Sequence, residues 1–104
     1  MKDVKNILKN IRLKKEEIET IRNAIKKHDE NAKVYLFGSR TQKDKRGGDI
    51  DLLIISEKID FNKKLKILTE LYLKLGEQKF DLIICKKPDE TPFTNSVFEN
   101  SINL

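Results

Sequence analysis

YLFGSRTQKDKRGGDIDLLI, residues 35–54, sets two apolar runs on either side of a charged loop. The first run ends in Gly38-Ser39-Arg40, and the second begins Asp49-Ile50-Asp51. Acidic residues are disfavoured in strands. Strand side chains alternate with period two, so Asp49 and Asp51 share one face while Ile50 takes the other. Their Cα atoms then lie roughly 6.5 Å apart. Two carboxylates on one face repel unless a cation sits between them. Oxygen-only ligands favour Mg²⁺, which keeps waters and takes one or two carboxylates together with substrate phosphates. Taken alone, the pair also fits a plainer arrangement, with Asp49 opening the strand and Asp51 facing solvent.

Farther along the chain, FDLII at residues 80–84 echoes IDLLI at residues 50–54. If the two strands are neighbours, Asp81 brings a third carboxylate to the same point. Such a set can hold two divalent ions, the arrangement that clamps both oxygens of an in-line phosphoryl displacement. Gly38 and Ser39 supply the complementary half. Glycine lets a ligand approach the backbone closely. Ser39 can cap a short helix over residues 39–43, whose free N–H groups favour an anion. A triphosphate held there by backbone, Ser39 and Arg40 would present its α-phosphate to metals at Asp49 and Asp51. A plain hairpin turn is the simpler alternative for Gly-Ser, and Gly47-Gly48 needs no role beyond a tight return into the strand.

The remaining pattern sets these residues in an α/β (α+β) domain. Val4, Ile7, Leu8 and Ile11 predict an amphipathic turn or two over residues 3–12, and Ile18, Ile21 and Ile25 predict a helix from Lys15 to His28. KVYLF, DIDLLIIS and KFDLIICK read as three strands. Between the last two, residues 61–76 predict a helix capped by Asn62 and closed by Gly76, with Leu65, Leu68, Leu71, Tyr72 and Leu75 on its apolar face. After a loop fixed by Pro88 and Pro92, Val97, Phe98 and Ile102 predict a last short helix. The expected fold is a small mixed sheet of about three strands with helices packed on it. Residues 1–104 form one domain in this reading.

Composition narrows the function classes. The net charge is +5, so polyanions suit as partners, but 17 acidic residues are interspersed among 22 basic ones. Aromatic residues that would stack bases are not interleaved with the basic ones, which argues against direct nucleic-acid binding. No apolar run approaches the ~20 residues of a membrane span. The start of the chain has no signal-peptide stretch, and Cys85 is the single cysteine, which together give a cytoplasmic expectation. A lone histidine, His28, cannot anchor a triad, and Cys85 and Tyr72 read as core residues.

The combination FGSR, GGDIDLLI and FDLII resembles the DNA polymerase β-type nucleotidyltransferase superfamily, and within it the minimal nucleotidyltransferases that partner helical HEPN-type proteins. The resemblance spans roughly residues 13–104. It implies a polymerase β-like fold, with Gly38, Ser39 and Arg40 in the nucleotide-binding turn. It also implies that Asp49, Asp51 and Asp81 are catalytic metal ligands for two Mg²⁺ ions. ATP would be the substrate, and AMP would pass to a hydroxyl, a tyrosine, of the HEPN-type partner, the chain acting as antitoxin of a type VII-like pair. Two other functions remain: an antitoxin that neutralises its partner by binding alone, and the catalytic subunit of a two-subunit small-molecule nucleotidyltransferase. The loop between Ser39 and Asp49 is shorter than in many members, and Lys43 stands where glycine is common. Sheet edges and the residue 3–12 segment suit a homodimer or a hetero-oligomer.

Overall fold

The computed structural model describes residues 11–41, 49–76 and 78–104. The helix expected over residues 3–12 falls almost wholly outside the described residues. So do Gln42 to Arg46, Gly47-Gly48 and the Ser39 side chain.

Helix α1 (Lys15–Lys26) precedes β1 (Lys33–Phe37), and a 3₁₀ turn follows at Gly38–Thr41. Then come β2 (Ile50–Ile55), α2 (Phe61–Leu75), β3 (Phe80–Cys85), α3 (Pro92–Glu99) and β4 (Ile102–Asn103). The sheet runs in the order β3-β2-β1-β4. β1 is antiparallel to both β2 and β4, whereas β2 and β3 are parallel, joined across α2. A parallel pair needs such a crossover, and the 15 residues of α2 supply it.

Period-two alternation splits the sheet into two faces. Val34, Leu36, Ile50, Leu52, Ile54, Phe80 and Leu82 pack with α1 and α2 in the larger core. Tyr35, Leu53 and Cys85 form the smaller one, with Val97 and Phe98 of α3 against them. Tyr35 and Phe98 stack at a centroid distance of 5.0 Å. Central strands apolar on both faces are what a sheet covered on both sides requires.

Four expectations need correction. Ile102 belongs not to a last helix but to β4, which pairs with Leu36 and makes the sheet four-stranded. α1 ends at Lys26, short of His28. Asp60, not Asn62, caps α2, its Oδ1 accepting from Lys63 N at 2.9 Å. The buried face of α2 is also rotated from the expected one. Ile67 and Leu71 are fully buried, while Leu65 and Tyr72 are 46% and 45% exposed. Tyr72 makes an edge contact with Phe80, at 5.6 Å. Gly76 closes the helix as expected, at φ 81° with its N–H on Tyr72 O.

One polar cluster inside the fold was not visible in the sequence. Buried Asp29 accepts from Ser56 Oγ at 2.6 Å and from Asn31 N at 3.0 Å. Ser56 Oγ in turn accepts from the N–H groups of Lys58 and Ile59, both at 3.1 Å. The Ser56 hydroxyl, opposed by burial, holds the Asp29 carboxyl below the usual aspartate range, helped by Asn31 N–H and the Lys58 and Lys26 charges. A depressed carboxylate adds stability that is present above the ordinary aspartate pKa of about 4 and lost as pH falls through the folded-state value. Asp29→Asn should therefore flatten the acid limb of a denaturation midpoint measured from pH 7 down to about pH 2. Ser56→Ala, which strips partners from three groups at once, should cost about 2–3 kcal/mol in urea unfolding at pH 7.

Candidate active site

Phe37, Asp51 and Asp81 are register partners across β1, β2 and β3, so they form one row on the face that carries Tyr35, Leu53 and Cys85. This row lies at the end of the sheet, one step beyond the apolar row Tyr35–Leu53–Ile83. Side chains in register on parallel strands share a face, so the juxtaposition of Asp51 and Asp81 follows from the β2–β3 pairing alone. Asp49 stands just before β2. The Ile50 N–H donates to Lys79 O at 2.9 Å, which ties this entry to the start of β3.

The electrostatics match that placement. Burial, then the neighbouring charges of Asp81 and Asp49, push the Asp51 carboxyl up, and Lys79 works the other way. Lys79 Nζ sits 3.8 Å from Asp49 Oδ2, with both side chains half or more exposed. An exposed pair of this kind contributes little and is readily displaced.

Gly38 closes the site from the β1 side. Its φ is +78°, and a Cβ built there would collide with Asp51 Oδ2 and come within 3.2 Å of Asp51 Cγ. The backbone of the turn is thus seated directly against the Asp51 carboxylate, an approach open only to glycine. Thr41 Oγ1 donates to Gly38 O at 2.7 Å and holds the turn closed. Residues 38–41 form the 3₁₀ turn, so Ser39 lies inside it rather than at its cap.

Arg40 is placed differently from the carboxylates. Its Nη1 donates to Arg12 O at 2.8 Å and its Nη2 to Gln78 Oε1 at 3.3 Å, while Arg12 N donates to Arg40 O at 2.9 Å. Gln78 Nε2 donates on to buried Glu17 Oε2 at 3.0 Å, and Glu17 Oε1 accepts from Lys14 N. The guanidinium therefore braces the Gly38–Thr41 turn against the segment that leads into α1 and the approach to β3. Sequence reasoning missed this network and Lys79 as well. The one available signal was Glu17, a carboxylate beside Ile18 on the buried side of α1.

Among the described residues, no three His, Cys, Asp or Glu side chains already close on one point as a ligand set. What the register provides is a pair, Asp51 and Asp81, with Asp49 beside it and glycine backbone opposite. That all-oxygen donor set fits Mg²⁺, for which one or two carboxylates suffice once substrate phosphates and waters complete the shell.

Residues 19–104 match the family model described as polymerase beta, nucleotidyltransferase. The chain belongs to this nucleotidyltransferase family. The four-stranded mixed sheet with its helices is consistent with the polymerase β-like fold. Nucleotidyltransferase domains generally use a nucleoside triphosphate and a divalent metal, and nucleotidyl transfer is the activity the match supports. A search of curated proteins found no match to the chain. Cys85 is buried, with its thiol pushed up by burial and by Glu90, and takes no part in the site. No helix among the described residues is long and apolar enough to cross a membrane.

Proposed function

We propose that this nucleotidyltransferase moves AMP from ATP to a hydroxyl, a tyrosine, of a helical HEPN-type partner protein. In this reading it is a minimal nucleotidyltransferase acting as the antitoxin of a type VII-like pair, in the cytoplasm. The observation that carries the chemistry is the Asp51–Asp81 register pair with the Gly38 turn against it. Asp49, Asp51 and Asp81 would hold Mg²⁺, and the Gly38-Ser39 turn would take the phosphates. A divalent ion there would supply neutralisation of phosphate charge and a more nucleophilic acceptor oxygen.

The carboxylates also account for the transfer itself. The acceptor oxygen bonds the α-phosphorus as the bond between the α- and β-phosphates breaks, and pyrophosphate leaves. In this reading Asp81, the exposed member of the row, would take the acceptor proton. Among the described residues, α3 is the helix on this face, and it covers the rows of Tyr35 and Cys85 rather than the acidic row. An acceptor that itself supplies part of the cleft wall fits this reading, and a folded protein can do so where a small molecule cannot.

The test is the intact mass of the HEPN-type protein after incubation with this chain, ATP and Mg²⁺. A gain of one or more AMP units supports the proposal. A stable complex with no gain would overturn it in favour of neutralisation by binding alone.

A further inference from the structure

α2 carries more apolar surface than its core requires. Beyond buried Ile67 and Leu71, it exposes Leu73 at 82%, Phe61 at 68% and Leu65 at 46%. Residues 61, 65, 69 and 73 follow one another at i,i+4, so these three side chains lie along one stripe of the helix. Leu65 and Leu73 line a shallow groove of about 450 Å³, with Lys27 at the end of α1 on its far side. Large aliphatic and aromatic side chains left in water along one helix are the kind of surface that marks an interaction site.

Charge selects the occupant. Among the described residues, Lys27, Lys66 and Lys74 rim the groove with a single acid, Glu70. Glu70 is already bound by Lys27 at 3.0 Å and by Lys74 at 3.1 Å, which hold its carboxyl below the usual range. The rim is therefore net positive on a chain of net charge +5. A second copy docking by the same patch would set lysines against lysines, since a two-fold contact pairs a surface with itself.

We infer that the outer stripe of α2 is the docking surface for an amphipathic helix of a partner protein, one whose apolar residues are flanked by Asp and Glu. The inference rests on the proposed function only in that a second protein must be recruited. α2 packs on the sheet face opposite the acidic row, so a partner held there leaves the Asp51–Asp81 end open. Docking at α2 is thus a tether that brings an acceptor to the domain, not a plug of its cleft.

The test needs neither ATP nor metal, so its failure would leave the transfer chemistry untouched. The full chain is titrated by NMR with a synthetic amphipathic helical peptide of about 18 residues carrying leucines at i,i+4 and i,i+7 flanked by glutamates. A twin peptide carries lysines in place of the glutamates. Expected are shifts confined to Lys27 and Phe61–Lys74, affinity about tenfold higher for the acidic peptide, and weakening with added salt. Leu73→Glu and Leu65→Glu, both at exposed positions, should abolish the shifts without altering the fold. Equal binding of both peptides, shifts centred elsewhere, or persistence of binding in both variants would overturn the inference. Self-association of the chain that Leu73→Glu disrupts would also overturn it and assign the stripe to a second copy.

Discussion

Asp51→Ala combined with Asp49→Ala is expected to lower nucleotidyl transfer by about three orders of magnitude or more, roughly 4 kcal/mol of transition-state stabilisation. Two of the three carboxylates at the end of the sheet are lost, which leaves Asp81 alone to ligate a triphosphate-bound cation. The fold should survive. Burial and its acidic neighbours already push the Asp51 carboxyl up, so the folded chain holds that proton more tightly than the unfolded chain does. Ionising a raised carboxylate above its ordinary pKa costs stability, so the loss of charge at neutral pH is a gain. The thermal midpoint at pH 7 should be unchanged or higher, and partner binding should persist. A marked drop in the midpoint would show that the acidic row holds the sheet together, and the catalytic assignment would fail. Trading stability for function in this way is usual at active sites.

Gly38→Ala is the second large expected effect. The substitution forces a left-handed φ on a residue with a side chain, at about 1–2 kcal/mol. It also drives a methyl into the Asp51 carboxylate. Either the turn or Asp51 must move, and a displacement of about 1 Å at a reacting centre costs on the order of 100-fold in rate. Gly76→Ala is the control. Gly76 has a comparable φ of +81°, but a Cβ there meets nothing within 4 Å. Its ψ of −156° lies in a region that essentially only glycine adopts, so Gly76→Ala should show a clear strain penalty in urea unfolding with transfer retained. Equal activity losses in the two variants would mean that the contact of the turn with Asp51 does not matter for catalysis.

The acidic site was the most legible part of the chain because its signals are local. Asp49 immediately precedes β2 and Asp51 lies on it, Asp81 is the second residue of a strand of the same pattern, and Gly38 follows the run before them. Sheet pairing then converted a repeated word, IDLLI and FDLII, into facing carboxylates. What escaped reading depends on partners far apart in sequence. Ile102 looked helical by spacing, yet its backbone completes the β1 edge opposite Leu36. Arg40 follows Gly-Ser, and nothing local in the sequence announces that Arg12 and Gln78 engage its guanidinium. Asp29 and Ser56 are polar residues in ordinary loops until the fold buries them against each other. On α2 the apolar residues are numerous enough to define two overlapping faces. The strands beneath it chose Ile67 and Leu71 for the core, and Leu65, Tyr72 and Leu73 were left outside.

The central claim is that the Asp51–Asp81 row and the Gly38 turn form one metal-dependent nucleotide site. Its most direct test is ATP binding to the full chain by calorimetry, with Mg²⁺ and with EDTA, for the native protein and for Asp51→Asn. Affinity in Mg²⁺ at least about tenfold above that in EDTA, a difference of about 1.4 kcal/mol, with the advantage lost in Asp51→Asn, is the predicted result. ATP affinity that is the same with and without the metal, or that Asp51→Asn leaves untouched, would contradict it.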